Sequence, residues 1–326
     1  MRPSISAILK TGVAGVLIYF ILQQVNLEEL IGIIQGASLS QLAFGAGCWF
    51  ILSVLGSLRW YWLANAAAVP ISYKRSLRLV FVGFFFNNVM FGSTGGDVMR
   101  AYLVTQNMHE NRWRAVISVI VDRVIGLFVL LTIAAVVLIL FESTNPEQFK
   151  SVPGLYAMRR FVLLFIVGFI ACILMYLSGR VRRALRLKTL ISKLPAQSII
   201  NKVHDATSLY RSHFAAVIKA FLISIPLQVA GISAFFFIAS AIGSELSMRD
   251  QAIIFPLVQT ASSVPIAPAG WGIGEQLYGW FFQRFGDTLA IGVATSILFR
   301  LITQIGFGLV GGLIWVGSTD RKLKKQ

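Results

Sequence analysis

Long apolar stretches alternate with short polar, basic segments along this chain. A transmembrane helix needs about 20 mostly apolar residues, because the hydrocarbon core is about 30 Å thick and each residue rises about 1.5 Å. The pattern therefore predicts an all-α polytopic membrane protein, with residues 1–326 forming a single transmembrane domain. Six stretches predict spanning helices: 5–23, 39–63, 114–141, 160–179, 213–243 and 288–317.

Two further apolar stretches, about 79–98 and 251–285, are interrupted by polar or helix-breaking residues. Such interruptions free backbone groups that lipid cannot satisfy, so we expect both stretches to be shielded by protein or to face a watery cavity. In the first stretch these residues are Asn87, Asn88, Gly92, Gly95 and Gly96, and in the second they are Pro256, Pro265, Pro268, Gly270, Gly272 and Gly274.

Basic residues in the loops decide whether the interrupted stretches span. If both are re-entrant hairpins and the N-terminus is cytoplasmic, the cytoplasmic segments hold 20 of the 29 Lys and Arg residues, as the positive-inside rule favours. If both span, a cytoplasmic N-terminus places the eight basic residues of 180–212 outside, and an outside N-terminus makes the distribution of basic residues between the two sides nearly even. We therefore predict six transmembrane helices plus two re-entrant hairpins, with both termini and a basic connector at 180–212 cytoplasmic.

The two interrupted stretches belong to an internal repeat. Asp97 follows a glycine run and precedes Arg123 by 26 residues, while Glu275 follows another and precedes Arg300 by 25. Because the loop charges place the hairpins on opposite sides, the units form an inverted-topology repeat. This arrangement is common in secondary transporters, whose binding sites lie near the midplane at broken helices. Repeat unit 1 covers 39–141, and repeat unit 2 covers 213–317.

Composition excludes most soluble functions. Only 13% of the residues are charged, against roughly a quarter in soluble domains. The net charge of +16 is distributed between apolar segments, so we expect anionic lipid headgroups at the connector and no nucleic acid. No metal-ligand spacing, Walker motif or Ser-His-Asp set is present, which predicts no metal, no cofactor and no catalytic residues.

The acids and glycines are candidate substrate-binding residues. Asp97 and Glu275 each begin a short helical stretch, where a carboxylate is stabilised by unpaired N–H groups, so helix capping is an alternative to ligand binding. The glycine loops can also bring backbone N–H groups close to a phosphate. The loop candidates are Asn87, Gly95, Gly96, Gly272 and Gly274.

The intramembrane arginines are the stronger candidates. Arg123 and Arg300 cost about 2.5–3.5 kcal/mol each at membrane depth, and such residues normally face a partner or a water-filled cavity. They form either structural ion pairs with Asp97, Asp122 or Glu275, or a site for a lipid phosphate, which suits the guanidinium fork. An arginine that exchanges a carboxylate for a phosphate during transport would do both.

Two further charged residues are accessory candidates. Asp122 points about 100° away from Arg123 on a helix, so we expect it to have a different partner. Arg59 lies near the cytoplasmic end of its span beside aromatic residues, and we favour snorkelling to the interface as its role.

Several of these motifs together resemble one known family. The chain is similar to the lysylphosphatidylglycerol synthase/flippase transmembrane region family over about residues 5–317. The motifs are Arg59-Trp60, the stretch from Asn87 through Gly95-Gly96-Asp97 to Arg100, Asp122-Arg123, and Pro268 through Glu275. The resemblance implies lipid translocation across a bacterial inner membrane, and it adds Arg100 as an accessory candidate.

The resemblance leaves the substrate open. Only nine residues follow Gly317, so we expect no aminoacyl-transferase domain and a transporter rather than an enzyme. We therefore predict a flippase for a phosphate-bearing lipid, which could be aminoacylated, isoprenoid or glycosylated. The alternatives are a membrane-embedded transferase acting on a lipid-linked substrate, and a non-catalytic subunit of a lipid or glycan biosynthetic complex. A homo-oligomer is compatible with each.

Overall fold

The computed structural model describes residues 27–89, 95–106, 108, 110–177, 205, 208–263 and 272–317. The predicted first span and most of the basic connector lie outside the described residues. All the regular structure described is helical. In chain order, the helices are α1 (Leu27–Gln35), α2 (Leu39–Ala66), α3 (Tyr73–Val89), α4 (Gly95–Thr105), α5 (Trp113–Thr144), α6 (Pro146–Ser151), α7 (Leu155–Leu177), α8 (Phe214–Ala241), α9 (Met248–Ser262), α10 (Ile273–Arg284), α11 (Leu289–Arg300) and α12 (Phe307–Gly317).

Five long helical segments in the described part are apolar enough to cross a membrane, and they correspond to five of the six predicted spans. The last of them continues from α11 into α12 through a π-helical turn, Leu301–Gly306. A π-helical turn is rare and often lies at a functional site, and this one directly follows Arg300. The spanning segments are Leu39–Ala66, Trp113–Thr144, Leu155–Cys172, Phe214–Ala241 and Leu289–Gly317.

Each interrupted stretch forms two shorter helices that pack together, α3 with α4 and α9 with α10. Helix α9 begins at a capping box, in which the Ser247 hydroxyl accepts a hydrogen bond from the Asp250 N–H and the Asp250 carboxylate accepts one from the Ser247 N–H. Helix α3 begins at Tyr73, before the apolar stretch, and Arg75 near its start donates to the Leu103 carbonyl of α4. That each pair returns to the face from which it enters stays a prediction.

The two helices that precede the pairs, α2 and α8, pack closely along their length. Gly45 faces Ile238, Leu52 faces Gly231, and Gly56 faces Leu227. Residue numbers rise in one helix as they fall in the other, so α2 and α8 are antiparallel. Helices at equivalent positions of two inverted units must have this relation.

Two further contacts connect the two units crosswise. Helix α3 of the first unit packs against α12 of the second, while α9 of the second unit packs against α5 of the first. The α3–α12 contact is very close, because a Cβ atom at Gly311 would overlap the Phe81 carbonyl group. Small residues allow such approaches between membrane helices.

We predict that Gly311→Ala destabilises the protein by about 1–3 kcal/mol, because the added methyl group must push α12 away from α3. Thermal unfolding in detergent should show a lower midpoint. Gly47→Ala on α2 is the control, since a Cβ there meets nothing within 4 Å. Equal midpoints for the two variants would show that the α3–α12 contact is not tight.

Candidate functional site

Five charged side chains of the first unit, alternately positive and negative, contact one another in series, and we call this series the charge chain. Arg59 Nε lies 2.7 Å from Asp122 Oδ1, and Asp122 Oδ2 lies 3.7 Å from Arg100 Nη2. Arg100 Nη1 lies 3.3 Å from Asp97 Oδ1, and the other Asp97 oxygen accepts a hydrogen bond from Arg123 Nε. Side-chain exposure is 9% for Arg59 at one end and 40% for Arg123 at the other. The charge chain therefore reaches from the protein interior to its surface.

Helix geometry places these side chains. Asp97 and Arg100 lie three residues apart on α4, which puts them on one face. Asp122 and Arg123 are adjacent on α5 and diverge, so Asp122 is buried while Arg123 is exposed. The prediction that Asp122 has a partner other than Arg123 is confirmed.

The expectation that Arg59 snorkels to the interface is wrong. Its side chain is buried, forms the ion pair with Asp122, and donates from Nη1 to Ser224 Oγ of α8 at 3.1 Å. A Cβ at Gly126 would lie 2.9 Å from Arg59 Nη1, so this glycine makes room for the guanidinium. Aromatic flanks suggest an interfacial arginine, but the packing of α2 against α5 and α8 buries this one.

Arg100 lies against an aromatic face. Its guanidinium carbon is 4.2 Å from the centre of the Trp60 ring, and Trp60 Nε1 donates to Ser118 Oγ at 3.3 Å. A desolvated cation over tryptophan gains about 2 kcal/mol. The Nε and Nη2 groups of Arg100 are buried and make no hydrogen bond. This side chain therefore has donors that are still available to an anion.

Gly96 and Asn87 hold the start of α4 against α3. The Gly96 N–H donates to Asn87 Oδ1 at 2.7 Å, and a Cβ at Gly96 would overlap the Gly83 carbonyl of α3. Asn87 thus positions the start of α4, and with it Asp97. Both Gly95 and Gly96 are buried.

In the second acid–arginine pair, both side chains are buried and contact each other. Glu275 Oε1 lies 2.6 Å from Arg300 Nε and accepts from Ser296 Oγ at 3.1 Å, while Oε2 accepts from the Gly272 N–H at 2.6 Å. Glu275 is therefore a helix cap and an ion-pair partner at once. Gly272 has a φ of 85°, which favours glycine, and a Cβ at Gly274 would collide with the Arg300 guanidinium.

Sequence reasoning missed the two serines in this arrangement. Ser296 lies four residues before Arg300, on the same helix face, and this spacing could have identified it. Ser224 contacts Arg59 from 165 residues away, and no local signal connects them.

A family model for the lysylphosphatidylglycerol synthase TM region matches residues 7–311. The chain belongs to this family. Three similar relatives are archaeal UPF0104 membrane proteins. PH1989 of Pyrococcus horikoshii is 20% identical over 91% of this chain and 93% of its own length. MJ1595 of Methanocaldococcus jannaschii is 20% identical over 94% of each, and one from Methanothermobacter thermautotrophicus is 24% identical over 87% and 85%.

Family membership and the apolar helices establish a multi-pass membrane protein. Within this member of the lysylphosphatidylglycerol synthase TM region family, the helix that carries Asp97 and Arg100 also lines an apolar cleft of about 310 Å³ between α3, α4 and α12. Met99 and Tyr102 of α4 line this cleft, together with Phe85, Phe86 and Trp315. Helix α4 therefore carries charge on one face and faces an apolar cleft with another.

Proposed function

We propose that this protein is a flippase, which moves a phosphate-bearing lipid between the two leaflets of a membrane. The observation that carries this proposal is the chain of alternating charges that ends at the half-exposed Arg123. Charges within spanning helices are costly and normally serve a transport pathway, a relay or a buried partner. Here Arg123 of the outermost ion pair can exchange Asp97 for another anion while the inner pairs stay buried.

Exchange of ion-pair partners is the proposed mechanism. Arg123 would bind the lipid phosphate, and Asp97 would receive Arg123 again after release; Arg300 and Glu275 form the equivalent ion pair of the second unit. A guanidinium can bind carboxylate or phosphate oxygens with the same two-donor geometry. Such an exchange never leaves the arginine uncompensated, which would be strongly unfavourable in a buried position.

The arrangement of helices supports alternating access. We propose six spans and two re-entrant hairpins that enter from opposite faces, with both termini cytoplasmic. The antiparallel packing of α2 and α8 and the crosswise contacts of α3 and α9 fit this inverted repeat. In inverted-repeat transporters, one unit rocks against the other around a site near the midplane.

Location and partners follow from charge. We propose that the basic connector binds anionic headgroups at the cytoplasmic face of a bacterial inner membrane, and that the protein needs no cofactor. The apolar cleft beside α4 offers a surface for the acyl or prenyl chain of the substrate.

Movement of fluorescent lipids in proteoliposomes tests the function. Labelled phosphatidylglycerol, aminoacylated phosphatidylglycerol and a labelled polyprenyl phosphate would be followed by dithionite quenching of the outer leaflet. At least one of them should move faster than in protein-free vesicles. If none does, the protein is not a flippase for these lipid classes.

We predict that Arg123→Gln lowers the transport rate by about 10–100-fold, because a hydrogen bond to a charged group contributes about 1.5–3 kcal/mol. The control is Arg160→Gln, which removes an exposed charge from α7. Equal rates for the Arg123 variant and the wild type would exclude Arg123 from the transport step.

A further inference from the structure

The two repeat units differ in chemistry at equivalent positions. Three residues after its acid, the first unit has Arg100 and the second has Tyr278. One residue before its arginine, the first unit has Asp122 and the second has Phe299. The second unit thus has two aromatic residues where the first has an additional arginine and an additional aspartate.

These aromatic residues, which lie close in sequence to the second pair, pack into a hydrophobic core. The Tyr278 ring stacks on Phe235 with ring centres 4.4 Å apart, and Phe299 contacts Phe235 edge-on at 5.2 Å. The side chains of Glu275 and Arg300 are only 4% and 6% exposed. A ligand could reach this buried pair only after the side chains around it had moved.

Charge balance also distinguishes the units. Among the described residues, the ion pairs of the first unit connect three arginines with two aspartates, so the arginines outnumber these carboxylates by one. Tyr210 does not offset it, because burial and then the Asp122 charge raise the pKa of this phenol well above its usual range. In the second unit, Glu275 and Arg300 balance. A surplus charge at low dielectric favours the binding of a counterion.

The Asp97 carboxylate marks the position for such an anion. One of its oxygens contacts Arg100, and the other contacts Arg123. Two guanidinium groups that converge on one carboxylate can also converge on one phosphate. The Nε and Nη2 groups of Arg100 supply further donors, since they make no hydrogen bond now.

We propose that the first unit alone binds the lipid headgroup, as a single phosphate of one negative charge, with Arg100 and Arg123 as its two ligands. The Glu275–Arg300 pair stays closed during binding and holds the second unit together. The surplus of one positive charge favours a phosphodiester over a diphosphate, and it also favours an anionic over a cationic headgroup. The lipid nature of the ligand rests on the proposed function.

Binding to the full chain in an uncharged detergent tests this proposal independently of transport. The probes are phosphatidylglycerol, phosphatidylcholine, lysylphosphatidylglycerol, a polyprenyl diphosphate and inorganic phosphate, with dissociation constants from microscale thermophoresis. Phosphatidylglycerol should bind most tightly. Arg100→Gln and Arg123→Gln should each weaken its binding at least about tenfold. The double variant Glu275→Gln with Arg300→Gln, and the control Arg160→Gln, should change it less than about twofold.

Several results would overturn the proposal. These are tighter binding of lysylphosphatidylglycerol or diphosphate, equal loss of binding in the Glu275/Arg300 double variant, and inorganic phosphate binding as tightly as the lipid. Arg100→Lys guards against misfolding, because it keeps the charge and loses only the fork, so its affinity should lie between those of wild type and Arg100→Gln. If phosphatidylglycerol binds but no lipid moves between leaflets, the flippase function is rejected and the proposed binding site stands. If lipid moves and variants of both units lower its rate equally, the flippase function stands and binding by the first unit alone is rejected.

Discussion

Replacing Asp122 with asparagine is expected to destabilise the protein by about 3–5 kcal/mol. Asp122 is buried and is the carboxylate that Arg59 contacts at 2.7 Å and Arg100 at 3.7 Å. Removing one member of a buried ion pair leaves an uncompensated charge, which is the strongly unfavourable case. Asparagine has nearly the same shape, so the loss would arise from charge rather than from a cavity.

The free energy of unfolding can be measured by titration with sodium dodecyl sulfate in mixed micelles. Glu147→Gln is the control, because Glu147 pairs with Lys150 on an exposed surface, where ion pairs contribute little. The Arg59→Gln, Asp122→Asn double variant should recover part of the loss, because it also removes the Arg59 cation, while Arg100 keeps its contact with Asp97. Strict additivity of the two single changes would show that Arg59 and Asp122 do not interact.

The sequence predicted the spanning helices well, because length and continuous apolarity are local properties. The described helices α2, α5, α7 and α8 and the segment Leu289–Gly317 agree with the predicted spans. The partners of the two repeat arginines were also predictable. In both units an acid at the start of a short helix precedes an intramembrane arginine by a similar distance, and each described pair is formed.

The partner of Arg59 was not predictable, because it depends on how α2 packs against α5, with Asp122 lying 63 residues away. Local sequence also could not distinguish the environments of Arg123 and Arg300. Both arginines lie in apolar spans, yet the first is half-exposed and the second is buried next to Phe299, which packs against aromatic side chains of α8 and α9. Burial is decided by helices distant in sequence, and so is the difference between an accessible and a closed pair.

Replacing Glu275 with leucine is expected to destabilise the protein by about 4–6 kcal/mol. The change removes the carboxylate that contacts a nearly fully buried arginine, and this loss costs about 3–5 kcal/mol. It also removes the acceptor for the Gly272 N–H at the start of α10, and loss of a helix cap costs about 1 kcal/mol. Sodium dodecyl sulfate titration measures the total.

A graded series separates the two contributions of Glu275. Glu275→Gln keeps an oxygen for the Gly272 N–H and loses the charge, so its stability should lie between those of wild type and Glu275→Leu. Adding Arg300→Gln to Glu275→Gln removes the uncompensated cation and should restore stability toward the wild type. If the double variant is no more stable than Glu275→Gln alone, the Arg300 cation is not destabilising without the Glu275 carboxylate. If it is stable and still binds phosphatidylglycerol, the second unit holds the fold together while the first one contacts the lipid.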